Sequence, residues 1–199
     1  MKKTRIVFMG TPVFAAHILK KLVEENYNIV GVVTQPDKKV GRKRELKPTP
    51  VKEVANQNNI QVFQPIKITT DYEFLEQVEP ELIITAAYGQ FIPNAVIDYP
   101  KLGCIKVHGS LLPKYRGGAP IHYAILNGET KTGVTIMEMI AKMDAGNIIS
   151  QQEFEIKFED TLGIVHDNMV EVAKELLLKT LPKIINQTNQ SLVQNEAEV

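Results

Sequence analysis

Lys106, His108 and Asp144 are the side chains in this sequence best suited by type and placement to move a proton. His108 closes the apolar run 103–108, Lys106 stands two residues before it, and a loop containing Pro113, Gly117 and Gly118 follows at once. Successive side chains of a strand point to opposite faces, so Lys106 and His108 share one face while Ile105 and Val107 share the other. Two polar groups on one face of a buried strand are costly unless they line a cleft. Imidazole titrates near neutrality and serves as a general acid or base. Asp144 lies in the glycine-containing segment 142–147. A carboxylate there could orient the imidazole and hold its charged form, although the same residue type also serves as a plain turn cap.

Other chemistries are poorly served. A dinucleotide site needs Gly-x-Gly-x-x-Gly at the first strand-to-helix turn, and only Gly10 is present there. The single cysteine, Cys104, allows no intramolecular disulfide and no cysteine zinc cluster, so no metal is expected. The formal net charge is zero, so attraction to a polyanion must come from a local patch. No apolar run approaches membrane length and no leader is visible, which points to a cytoplasmic protein without a membrane partner.

The elements that must position these groups follow from the periodicity. Runs 5–9, 28–34, 81–86 and 103–108 read as buried strands, with helices after Pro12, over 48–58, after Thr69 or Thr70, and over 119–127. A short strand is expected at 61–64, and alternating strands at 133–139 and 148–156. Residues 160–185 form a long helix with Asp160 as its cap, an inward stripe of Leu162, Val165, Met169, Val172 and Leu176, and Pro182 ending or kinking it. The fold class is α/β: a Rossmann-like open, mostly parallel sheet with helices on both faces. The 199 residues suffice for one domain, over residues 1–186, with 187–199 as a polar linker or tail. His17, His122 and His166 read as helix-surface or packing residues.

Two further segments lie at strand ends, where open α/β sheets bind ligands. Residues 36–47 carry Lys38, Lys39, Arg42, Lys43, Arg44 and Lys47 with no apolar periodicity, and read as a loop. Such a loop is either a solvated surface or a contact to a polyphosphate backbone. Ala87, Tyr88, Gly89 and Gln90 follow the third strand; small residues there let a flat ligand approach the backbone, or simply make a turn.

The run Val107-His108-Gly109-Ser110-Leu111-Leu112-Pro113-Lys114-Tyr115-Arg116-Gly117-Gly118-Ala119-Pro120-Ile121 resembles the signature of the methionyl-tRNA formyltransferases. Phe8 to Pro12, Thr34-Gln35-Pro36-Asp37, Val40-Gly41-Arg42, Thr132 to Met137 and Asp144-Ala145-Gly146 support the likeness, which runs from Arg5 to about Ile185. The resemblance implies a transferase of one-carbon metabolism and translation initiation, moving a formyl group from 10-formyltetrahydrofolate to the α-amine of methionyl initiator tRNA. It implies His108 and Asp144 as catalytic residues and a folate pocket including Ser110, Leu111, Leu112 and Pro113, with the pterin near Tyr88, Gly89 and Gln90. It also implies that Lys38, Arg42, Lys43 and Arg44 reach the tRNA, and that the protein acts as a monomer. Formyltransferases acting on glycinamide ribonucleotide or on a nucleotide-linked aminosugar share part of the signature, so a small amine acceptor and a non-catalytic folate- or RNA-binding domain are the alternatives.

The sequence departs from that family in two ways. Lys106 stands where the family has asparagine, replacing a short neutral donor by a long cation that would lower the His108 pKa and compete for Asp144. The chain is also expected to stop where the linker to the family's carboxy-terminal β-barrel domain begins.

Overall fold

The computed structural model describes residues 3–199. The chain forms two compact units, one ending at Cys104 and one spanning residues 105–199.

The first unit alternates strands and helices. In chain order it contains β1 (Ile6–Gly10), α1 (Val13–Glu24), β2 (Ile29–Val33), β3 (Lys38–Val40), β4 (Glu45–Lys47), α2 (Pro50–Gln57), β5 (Val62–Phe63), α3 (Phe74–Val78), β6 (Leu82–Ala86) and α4 (Asn94–Ile97). Strands β5, β2, β1 and β6 lie side by side, all parallel. Every residue of β1 and β6 is buried, which is why both read as continuous apolar runs rather than alternating ones. A Cβ at Gly10 would lie 2.6 Å from that of Ala15 and 2.8 Å from the Ala86 carbonyl oxygen, so only glycine lets α1 leave β1 this closely. Helix α1 buries Ala15, Ala16, Ile18, Leu19 and Leu22. Thr49 caps α2, accepting from the Lys52 N–H, and its hydroxyl is 2.7 Å from that of Thr34 in the interior.

Two expectations in this unit are corrected. The basic segment is not a loop throughout: β3 and β4 pair antiparallel around Gly41, whose φ is +72°. This pairing uses main-chain groups, so the side chains that fan into solvent left no apolar alternation. Neither Thr69 nor Thr70 caps α3; Glu73 holds the cap position without a side-chain bond, and the Thr70 hydroxyl donates to the Lys67 carbonyl instead.

The second unit begins at the second residue of β7 (Cys104–His108) and holds α5 (Pro120–Leu126), β8 (Lys131–Glu138), β9 (Ile148–Glu155), α6 (Leu162–Ile185) and a terminal 3₁₀ turn (Glu196–Glu198). Strand β8 lies antiparallel to both β7 and β9. Cys104, at the start of β7, is buried, and burial pushes its thiol pKa far up. The cap of α6 is Thr161 rather than Asp160: the Thr161 hydroxyl accepts from the Ile164 N–H, while Asp160 accepts from the Lys157 N–H. The inward stripe of α6 begins at Val165 and continues through Met169, Ala173, Leu176 and Leu177, leaving Leu162 exposed. Pro182 does not end α6, which continues to Ile185. Beyond it, Leu192 exchanges two main-chain hydrogen bonds of 2.8 Å with Ile148, and Gln194 is buried. Among the described residues no helix is long and apolar enough to cross a membrane.

Candidate active site

Strand β7 presents Lys106 and His108 on one face, paired with Met137 and Thr135 of β8. The turn after β8 carries Asp144, and the structure brings the three side chains together. Asp144 Oδ1 is 2.5 Å from Lys106 Nζ, and Oδ2 is 3.7 Å from His108 Nδ1. The Gly117 N–H donates to Oδ2 at 2.8 Å. On the far side of the ring, His108 Nε2 lies 2.9 Å from the Tyr115 carbonyl oxygen. That carbonyl can only accept, so Nε2 carries a hydrogen and the neutral ring keeps its lone pair at Nδ1, facing Asp144. At 3.7 Å the two are in ion-pair range but beyond a hydrogen bond.

The Asp144 turn is held closely. Asp144 has φ +49°, a left-handed conformation that aspartate tolerates better than most residues. A Cβ at Gly146 would fall 1.7 Å from the Glu138 carbonyl oxygen, so no other residue fits. The carbonyls of Asp144 and Gly146 both accept from Gln194 Nε2, at 2.8 and 2.7 Å. Gln194 Oε1 in turn accepts from Arg116 Nε and Nη2, at 3.0 and 2.8 Å.

Burial and charge oppose each other here. Burial lowers the His108 pKa; Asp144 pulls it up, Lys106 pushes it down, and the outcome is a value below that of an ordinary histidine. The expected protonating effect of Asp144 is therefore outweighed by burial, because the ring is only 3% exposed. For Asp144, burial alone would raise the pKa, but His108, Lys106 and the Gly117 N–H together hold the carboxyl below its usual range. The site thus pairs an ionised carboxylate with a ring biased toward neutrality, an arrangement able to accept a proton at Nδ1 and stabilise it there.

The other sequence candidates are placed as follows. Ser110 is fully buried and its hydroxyl donates to the Lys114 carbonyl. Thr135 Oγ1 donates to the Ser110 carbonyl and accepts from the Leu112 N–H, while Gln151 Nε2 donates to the Leu112 carbonyl. Leu111, Leu112 and Pro113 border an open groove of about 430 Å³ together with Lys114, Tyr115 and Thr132; Lys106, His108 and Asp144 do not line it. In the first unit, Tyr88 and Gly89 make the turn after β6, Gly89 with φ +98°. The Tyr88 carbonyl accepts from Thr11 Oγ1 and Gln35 Nε2. Gln90 accepts from the Ile68 N–H and donates to Gln35 Oε1. The buried Tyr88 hydroxyl has no partner among the described residues, and burial, with Asp71 nearby, pushes it up to about 12. Lys38, Arg42, Lys43 and Arg44 project from the β3–β4 hairpin, all exposed, and none forms an ion pair among the described residues.

Sequence reading missed Gln194, Arg116, Thr135 and Gln151. A glutamine in a polar tail carries no periodic signal, and its bonds to residues 48 and 50 positions earlier are invisible without coordinates.

Residues 4–181 match the formyl transferase family. The chain belongs to that family. The resemblance read from Val107 to Ile121 and its supporting blocks is borne out. The chain is 52% identical over 197 residues to a methionyl-tRNA formyltransferase of Bacillus mycoides, covering 98% of this chain and 63% of that protein. It therefore spans less than two thirds of the curated relatives it matches. Among solved structures it is similar to the phosphoribosylglycinamide formyltransferases of Bacillus halodurans and Anaplasma phagocytophilum. The first superposes with a TM-score of 0.77 at 22% identity, covering 92% of this chain and 96% of that one. The second gives 0.79 at 18%, covering 98% and 96%. At such identities the likeness establishes the fold, and the mostly parallel α/β formyltransferase class expected from the sequence is borne out. Among the described residues no group of three or more His, Cys, Asp and Glu could hold a metal ion.

Proposed function

We propose that this formyl transferase family member moves a formyl group from 10-formyltetrahydrofolate to the α-amine of methionine on initiator tRNA. The observation that carries this reading is the meeting of His108 with Asp144, residues 36 positions apart that the family signature brackets. The 52% identity to methionyl-tRNA formyltransferases supports charged tRNA as the acceptor. The amine attacks the formyl carbon, charge builds on the formyl oxygen, and the carbon–N10 bond of the folate then breaks. A donor aimed at that oxygen contributes about 3–4 kcal/mol in a water-excluded cleft. His108 takes the proton released by the amine, Asp144 stabilises the resulting imidazolium, and the proton passes to the departing N10. Lys106 stands beside both.

On this reading Ser110 to Pro113 are folate-binding residues, and Tyr88, Gly89 and Gln90 are assigned to the pterin on the family resemblance alone. Lys38, Arg42, Lys43 and Arg44 contact the tRNA backbone, where clustered cations gain from counterion release. The protein acts as a cytoplasmic monomer. The test is transfer of labelled formyl from 10-formyltetrahydrofolate to charged initiator tRNA, with glycinamide ribonucleotide as competitor. Labelled tRNA that is insensitive to the competitor supports the reading, and labelled ribonucleotide alone overturns it.

The Lys106–Asp144 ion pair favours one second reading, a folate- or RNA-binding domain with little turnover. Saturable binding of folate without product from either acceptor would favour it.

A further inference from the structure

The segment after α6 reaches the Asp144 turn through one side chain. Gln194 is 5% exposed, and among the described residues its side-chain hydrogen bonds all go to two loops. Its Nε2 donates to the Asp144 and Gly146 carbonyls, and its Oε1 accepts from Arg116. Each loop also supplies a contact at the site: Asp144 meets Lys106 and His108, and the Arg116 loop supplies the Gly117 N–H to Asp144 and the Tyr115 carbonyl to His108. Around this amide, Glu196 pairs with both Arg116 and Lys142, and the Leu192–Ile148 bonds anchor the strand of chain on the other side. A carboxamide is suited to this position because it alone among similar side chains offers a double donor and a double acceptor on one rigid plane.

We infer that Gln194 is a positioning residue for formyl transfer, fixing the separation of the Asp144 carboxylate and the His108 ring by tying their loops to the segment 192–196. The inference rests on the proposed role of that pair. Gln194 touches no reacting group; it acts through Asp144 and Arg116. Without it, Asp144 keeps its ion pair with Lys106 but loses the main-chain restraint that holds its left-handed turn.

The test compares the full chain with Gln194→Ala, Gln194→Glu and the control Val193→Ser, a neighbour that is 75% exposed. Two measurements are made: amide hydrogen exchange across the chain, and kcat and KM for formyl transfer. A net hydrogen bond is worth roughly 1 kcal/mol, so loss of two should raise exchange at residues 115–118 and 141–147 about 10–100-fold. Strand β8 should stay protected in the same experiment. Gln194→Glu keeps the acceptors for Arg116 and loses the paired donors, so it should loosen 141–147 alone. In both variants kcat should fall about tenfold while KM for tRNA holds, since positioning affects the chemical step. Exchange that is unchanged, or that rises throughout the unit, overturns the inference. So does locally raised exchange with an intact kcat. If the parent chain forms no product in any arm while exchange rises locally, the proposed function fails but the restraint on Asp144 is upheld.

Discussion

Replacing Lys106 by asparagine separates stability from activity. Asp144 is 2% exposed at its side chain and Lys106 is 24% exposed, so the pair is only half withdrawn from water. Deleting one partner of a fully buried pair costs about 3–5 kcal/mol. Here the loss is smaller, because the Gly117 N–H and His108 still face the carboxylate. What disappears is the charge-assisted part, about 1–2 kcal/mol. For a domain of this size that corresponds to a fall in Tm of about 2–8 °C. Turnover should move the other way. A short neutral donor free to face the formyl oxygen is worth about 100-fold in kcat. The positive charge that depresses the His108 pKa also goes, so the acid limb of the pH–rate profile should shift to higher pH. Thermal denaturation and single-turnover transfer to charged tRNA measure the two effects. A variant with the lowered Tm but unchanged kcat would show that Lys106 does not obstruct the reaction. An unchanged Tm would show that the ion pair contributes nothing.

Three further outcomes follow from the geometry. Gly146→Ala forces a methyl onto the Glu138 carbonyl, a backbone group that cannot swing aside, and should cost about 3 kcal/mol in urea unfolding. With the His108 pKa below 6.5, its contribution to stability is complete above pH 6.5 and declines as pH falls through the lowered value. Asp144, depressed below 3.8, adds a second decline at still lower pH; His108→Asn should remove the first and, because His108 helps hold the Asp144 carboxyl down, shrink the second, as read from urea midpoints against pH. Arg42→Ala should weaken tRNA binding and reduce the slope of log affinity against log salt by about 1, whereas an unchanged slope would remove Arg42 from the interface.

Much of this architecture was legible because burial writes itself into sequence. Strands β1 and β6 are apolar throughout, and the alternation of β7 correctly put Lys106 and His108 on one face. The approach of Asp144 came from the family resemblance rather than from periodicity, since a turn residue carries no pattern. The β3–β4 hairpin was hidden because its pairing lies in the main chain while its side chains are all charged or exposed. The cap of α6 slipped by one residue because Asp160 and Thr161 are both good cap types, and only coordinates show that Asp160 is engaged by Lys157. Gln194 was hidden because a single residue joining distant loops leaves no periodic trace.

Cys104 sits at the first position of β7, two residues before Lys106, as the chain's only thiol. Enclosed and protonated, it is shielded from alkylating reagents so long as the strand stays closed. Pulsed labelling would therefore count openings of this strand directly, one modified sulfur per event, against a background of zero from any other site. The molecule carries its own clock for unzipping of the strand that bears Lys106 and His108.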